Sequence, residues 1–273
     1  HKGFLGLFKL SRELKKLQID GIADLHNVLR TNILKLFFLG NKFIQIDKGR
    51  SEKKALVSGA CFQQLKTTHQ RYADVFENLG FKIDLSKPTF SQVIKLNSNI
   101  LSKTGSYELK WIGIAPFATY VSKMYPLDAL KNVIETLSKQ HKILLFGGGN
   151  QEIEVLNTIA SKYNNVINLA GELSLDEELD VISNLDVMLS MDSGNAHLAA
   201  MLGKKVVTIW GVTHPFAGFT PFNQPEDYAL LADREQFPLI PTSVYGNKYP
   251  ENYLEATRTI STQLIIDKIN AIL

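Results

Sequence analysis

Apolar and polar positions along the chain follow two periods, and the places where one gives way to the other mark out the elements. Residues 4–17, FLGLFKLSRELKKL, carry apolar side chains at helical spacing with Lys and Arg between them, which predicts an amphipathic helix. IDGIADL (19–25) reads as a short buried strand, and a helical stretch from His26 to Leu39 stops at Gly40. FIQID (43–47) reads as a second strand, and DKGRSEKKAL (47–56) as a basic loop running into a helix. A helix over Thr67–Leu79 stops at Gly80. From Lys110 the alternation becomes regular. WIGIAPF, KILLFGGG, VINLA, DVMLSMD and KKVVTIWG are strand-sized apolar runs, each ending in turn residues. Helical stretches over Pro126–Gln140, 151–162, 174–184 and 194–202 separate them.

Four or five β-α units with short connections predict a parallel sheet covered on both faces, a doubly wound Rossmann-like domain. The N-terminal part repeats the alternation less completely, and two short strands are fewer than a parallel sheet normally needs. The expectation is therefore an α/β chain of two Rossmann-like parts, the first lacking its opening β-α units. Residues 81–108 are polar and rich in Ser, Asn and Lys, with Pro88 and Gly105, and supply the boundary. The divisions expected are 1–105, 106–258, and a C-terminal helix over 259–273 packing back on the first domain.

Composition narrows the class. The chain has 273 residues, 45% apolar and 21% charged, which excludes disorder and collagen-like order. No apolar run approaches the length of a membrane span. One cysteine, Cys61, excludes an intrachain disulfide and a multi-cysteine metal site. Net charge is only +3 but is unevenly divided. Residues 1–105 hold 18 Lys and Arg against 8 Asp and Glu, while the remainder holds 12 against 19, a balance of +10 facing one of −7. This points to an anionic partner for the first half: nucleic acid, a membrane surface or a phosphorylated substrate.

Ligands of open parallel sheets bind at the carboxyl ends of the strands. DVMLSM delivers Asp192 to such an end, and Ser193-Gly194-Asn195 opens a helix whose free N–H groups favour an anion. His197 follows Ser193 by one helical turn. Helix capping alone would also account for Asp192 and Ser193. Thr119 and Lys123 follow another strand end, where the lysine suits a phosphate as well as it suits solvent. In FGGGNQE, Glu152 stands where a dinucleotide fingerprint needs its third glycine, so that fingerprint fails. Glu152 suits ribose hydroxyls or the charge of a helix N-terminus. The long WGVTHPFAGFTPF loop closes a further strand end, a common place for function. Lys48, Arg50, Lys53 and Lys54 cluster in the basic loop, free to point into a cleft. No P-loop, nucleophile elbow, HExxH or paired Cys/His spacing occurs.

MDSGNAHLAAMLGKKVVTIWGVTHP resembles the signature of glycosyltransferase family 9, the ADP-heptose:lipopolysaccharide heptosyltransferases: D-[ST]-G-x-x-H-x-A-x-x-L-G, a strand, then G-x-T. ADLHNVLRTNIL, DKGRSEKKAL and SKMYP extend the resemblance over most of the chain. It implies a GT-B fold, two Rossmann-like domains facing across a cleft. It also implies a metal-independent, inverting sugar transfer to a lipopolysaccharide inner-core acceptor, with no cofactor and no nucleic acid. The protein would sit in the cytoplasm, peripheral to the inner membrane. By position, Thr119 and Lys123 would contact donor phosphates, Glu152 the ribose and Leu173 the base. Asp192, Ser193, Gly194 and His197 would surround the diphosphate and sugar, and Lys48, Arg50, Lys53 and Lys54 would meet the anionic acceptor. Asp24-Leu25-His26-Asn27 departs from the family's D-x-Q-G. The family's catalytic aspartate lies in a segment ahead of the residues present, so no numbered residue is assigned as the base. Two other readings share the architecture: a GT-B nucleotide-sugar epimerase, and a non-catalytic nucleotide-sugar-binding fragment.

Overall fold

The computed structural model describes residues 3–273 as two parallel α/β units. The first begins with α1 (Gly3–Lys15), followed by β1 (Gly21–Asp24), α2 (Leu29–Phe37) and β2 (Lys42–Gln45). The two strands pair in parallel, Gly21 opposite Lys42. Phe4 and Phe8 of α1 meet Phe37 of α2 edge-on at 5.5 and 5.6 Å. α3 (Arg50–Val57) and α4 (Thr68–Leu79) complete the unit. Thr67 caps α4 through its side chain, and Gly80 ends it at φ 108°, a conformation glycine adopts at no steric cost. Both strands are largely half-exposed, so the buried strand expected over 19–25 is buried only at Asp24. Sheets of two strands have too little apolar face to bury more.

The second unit contains a six-stranded parallel sheet. Its elements are α5 (Ser98–Thr104), β3 (Trp111–Ala115), α6 (Leu127–Leu137), β4 (Lys142–Leu145), α7 (Asn150–Ala160) and β5 (Val166–Asn168). There follow α8 (Leu175–Ser183), β6 (Val187–Met191), α9 (Gly194–Met201), β7 (Lys205–Trp210), β8 (Ala229–Leu231) and α10 (Thr262–Ile272). The strand order is β5-β4-β3-β6-β7-β8. β3 and β6 are buried at every residue, as strands covered on both faces must be. Leu130, Ile134, Leu156, Ile265 and Ile269 cover one face, and Ile100, Val181, Ile182, Ala196 and Ala200 the other.

Two expectations about the ends of the domains need correction. α10 does not pack back on the first unit; Ile265, Ile266, Ile269 and Ile272 lie in the core of the large sheet, against α6. α5, expected in the first domain, also belongs with the large sheet, because Leu96 and Ile100 join its second core. In both cases a spaced row of isoleucines and leucines is buried where the larger apolar face is available. β8, with only three residues, gives no periodic signal and was not expected.

The units meet along the segment that follows β7. Leu65 N–H donates to the Phe216 carbonyl at 2.9 Å, and Thr68 donates to the Gly218 carbonyl through its N–H at 2.8 Å and its hydroxyl at 3.0 Å. Leu56, Leu65 and Ala217 form a small shared core with Phe216 and Phe219. Gly218 is required here: its φ is +81°, and a Cβ would stand 2.6 Å from the Lys66 carbonyl oxygen. Gly218→Ala is expected to lower the unfolding free energy by about 1–3 kcal/mol through overpacking and backbone strain. Urea unfolding checks this, and wild-type stability in the variant would show that the junction tolerates a side chain.

Candidate functional site

In the large sheet the chain winds outward from β3 to β4 and β5, then returns to β6 on the other side of β3. The crevice between β3 and β6 is therefore the topological switch point, where open α/β sheets take ligands. A cavity of about 330 Å³ lies there, at the carboxyl ends of β3, β4 and β6. Its walls are Phe117–Thr119, Phe146–Gly148 with Glu152, and Ser193–Asn195 with Leu198. A Cβ at Gly194 would meet no protein atom within 4 Å, so the space beside that backbone belongs to the cavity and not to packing. The first N–H groups of α9 lie at the Ser193–Asn195 wall, where the helix dipole favours negative charge. One oxygen of Glu152 accepts the Gly148 N–H at 2.7 Å and so closes the glycine turn on its helix.

Asp192 is the hub behind this cavity. Its Oδ2 accepts from Lys123 Nζ at 2.9 Å and from the Thr213 hydroxyl at 2.9 Å. The Lys123 and Asp192 side chains are only 13% and 11% exposed. Removing one member of such a pair leaves the other charge buried and uncompensated. Three chain segments are pinned by this carboxylate: the turn after β3, the end of β6 and the loop after β7. The sequence reading missed Thr213 as an individual residue, although the threonine of G-x-T in the motif was the available signal.

The remaining expected residues divide. Thr119, Glu152, Ser193 and Gly194 line the cavity together. Leu173 does not; it is half-buried against the core formed by Val181, Ile182 and Ala196. His197, one turn along α9 from Ser193, lines a neighbouring groove with His69, Phe90, Met201 and Phe222. Burial lowers the His197 pKa; nearby Asp192 opposes that shift and Lys123 adds to it. His69 is lowered by burial as well, with His197 contributing.

The basic cluster also differs from its description as a free loop. Arg50, Lys53 and Lys54 lie on α3, and only Lys48 precedes it. Lys53 is 8% exposed and its ammonium sits 4.1 Å above the Phe219 ring. Burial and the neighbouring Arg71 hold its pKa down. Arg71 is itself buried and pairs with the Asp47 and Glu52 carboxylates, neither of which forms an ion pair with the four cations. They line a cavity of about 600 Å³ between the two units. Among the described residues, no group of three or more His, Cys, Asp or Glu could hold a metal ion. No helix of the described residues is long and apolar enough to cross a membrane.

Two parallel α/β units with separate sheets, one smaller than the other, joined along the segment after β7, define a GT-B-like arrangement. Residues 7–239 match the family model for glycosyltransferase family 9 (heptosyltransferase), and the chain belongs to that family. It is 26% identical over 212 residues to lipooligosaccharide heptosyltransferase 2 of Campylobacter jejuni, covering 72% of this chain and 66% of that protein. The chain spans between 47% and 66% of the length of three curated relatives it matches. The fold is similar to that of a family 9 glycosyl transferase from Veillonella parvula, with a TM-score of 0.69 and 16% identity over 100% of this chain and 80% of that one. It is also similar to E. coli ADP-heptose lps heptosyltransferase II, with a TM-score of 0.64 and 20% identity over 97% and 80%.

His214 yields a prediction about pH. It is 4% exposed, and burial, with Arg234 adding to it, depresses its pKa from 6.5 to about 4. Its Nδ1 accepts the Phe216 N–H at 3.2 Å, which requires that nitrogen unprotonated. Below pH 6.5 the unfolded chain binds a proton that the folded chain refuses until about pH 4. Stability is therefore fully present above pH 6.5 and falls between 6.5 and 4. His214 accounts for roughly 3 kcal/mol of that fall, and His69 and His197 add to it with the same sign. Urea unfolding across this range is expected to show a shallower pH slope in His214→Gln than in wild type; equal slopes would return His214 to an ordinary solvated histidine.

Proposed function

We propose that this protein is a glycosyltransferase that moves a sugar from a nucleotide diphosphate, ADP-linked heptose, to an anionic lipopolysaccharide inner-core acceptor. The reaction is inverting and metal-independent, and takes place at the cytoplasmic face of the inner membrane. The observation that carries the reading is the switch-point cavity lined by Thr119, Glu152, Ser193 and Gly194, with the Lys123–Asp192 pair behind it. The names of the heptosyltransferase relatives support the donor and acceptor classes.

Departure of a nucleoside diphosphate builds negative charge on its phosphates. The N–H groups at the Ser193–Asn195 wall and, behind the cavity, the Lys123 ammonium held by Asp192 would stabilise that charge with little reorganisation. Asp192 holds Lys123 in place at the cost of part of its charge. It is not assigned as the general base, because its Oδ2 already accepts two hydrogen bonds. Asp24 is not assigned either: its carboxylate accepts the N–H groups of His26 and Asn27 and the Gln45 amide, and hydrogen bonds hold its pKa down against burial. Lys48, Arg50, Lys53 and Lys54 supply the acceptor side, where each cation near an anionic surface contributes about 1 kcal/mol.

Two measurements test this. Lys123→Ala is expected to weaken ADP binding by about 1.5–3 kcal/mol, the scale of a charge-assisted hydrogen bond; calorimetric titration with unchanged affinity would remove Lys123 from the donor site. Neutralising Arg50, Lys53 and Lys54 together is expected to raise the acceptor KM and flatten its salt dependence while donor KM stays constant. Equal loss for donor and acceptor, or none, would make the cluster a solvated face.

A further inference from the structure

The cavity beside the basic cluster has a second wall. Opposite Lys48, Arg50, Lys53 and Lys54 it is lined by Thr242–Tyr245, Asn247 and Lys248 of the large unit. No carboxylate lines it. Among the described residues, none of its five cations forms an ion pair within 4.0 Å, since the nearby Asp47 and Glu52 are turned onto Arg71. Lys53 is the most telling of the five. It is more than nine-tenths buried, rests on the Phe219 ring and has no carboxylate partner. The Lys53 stem is buried while its ammonium, with a ring beneath it and no carboxylate partner, opens on the cavity, where an incoming anion can pair with it.

The 242–248 segment is built to hold its shape. Thr242 N–H donates to the Val212 carbonyl at 2.9 Å, and the Thr242 hydroxyl donates to the Lys248 carbonyl at 2.7 Å. Lys248 N–H donates to the Ser243 hydroxyl at 3.2 Å, closing the loop on itself. Ser122 donates to the Gly246 carbonyl at 2.6 Å, and a Cβ on Gly246 would stand 2.7 Å from Cδ of Lys123. The loop is thus a thin partition. One side touches Lys123; the other presents Tyr245, Asn247 and Lys248 to the basic cavity.

We infer that this loop of the large unit forms the second wall of the acceptor site, with Lys248 its fifth cation, so that both units hold the acceptor's anionic groups. The inference rests on the acceptor reading above and adds the large unit's own contribution to it. About 600 Å³ accommodates a sugar-sized ligand. Five cations without an opposing carboxylate are more than one anionic group needs. The half-exposed Thr242, the exposed Asn247 and the Tyr245 ring, 60% exposed, provide hydroxyl, amide and stacking partners for a sugar. The partition also sets the acceptor anions close to Lys123 without letting them share it with the donor phosphates.

The experiment is a calorimetric titration of the whole protein with glucose 1,6-bisphosphate, with ADP in excess to occupy the donor site. Wild type is expected to bind the bisphosphate and not glucose. Lys53→Met is expected to weaken binding at least tenfold, and Lys248→Gln about fivefold, with ADP affinity in Lys248→Gln within twofold of wild type. Lys248 is exposed, so its variant is expected to melt with wild type. Loss in Lys53→Met with wild-type binding in Lys248→Gln would overturn the second wall and leave the acceptor reading standing. No binding by wild type, or equal binding by all three proteins, would overturn both.

Discussion

The Asp192 carboxylate is the point on which the arrangement depends. One oxygen takes both the Lys123 ammonium and the Thr213 hydroxyl, each at 2.9 Å, in surroundings that leave little room for water. Each contact joins a different excursion of the chain from the carboxyl edge of the sheet. Breaking the pair would leave a charge with no solvent to turn to, so the three segments are fixed relative to one another far more firmly than by backbone contacts alone. Gly211 shows how close the fit is, since a Cβ there would stand 2.3 Å from the Ser122 carbonyl oxygen.

From Thr213 the same segment continues into the contact between the units. His214 is held neutral by burial, Phe216 and Gly218 accept hydrogen bonds from Leu65 and Thr68, and Phe219 lies beneath Lys53. A single stretch therefore runs from the ion pair behind the switch-point cavity to the lysine of the opposite unit. The sheet requires only that β7 be followed by a return to β8. The connection made instead is a loop with little regular structure, and it carries contacts between the two units.

The large sheet was legible because its parallel strands are buried on both faces and read as continuous apolar runs between glycine-rich turns. Thr119, Glu152, Ser193 and Gly194 were legible as residues just after strand ends, but the strand order that brings them to one switch point was not. What could not be read were directions settled by partners distant in sequence. His197 stands one turn after Ser193 and within reach of the Asp192 and Lys123 charges, but its ring also lines a groove with His69 and Phe222, which come from other elements. Leu173, which only the family resemblance set against a base, packs on the second core of the large sheet. The basic cluster was visible as charge, whereas its helix and the burial of Lys53 depend on Arg71 and on Phe219, whose relation to α3 no local pattern records.

The cations of this chain serve in three distinct ways, and the difference decides which of them a ligand can use. Arg71 is buried and already holds two carboxylates, so its charge is spent on keeping the Asp47–Glu52 segment in shape. Lys123 is paired once, with Asp192, and a diphosphate approaching it competes with or adds to an existing contact. Lys53 has only an aromatic face beneath it, an attraction worth roughly 0.5–2 kcal/mol, and its ammonium opens on the cavity. The order of neediness therefore runs from Arg71 through Lys123 to Lys53. The least satisfied of these faces a cavity whose far wall adds another cation and no carboxylate.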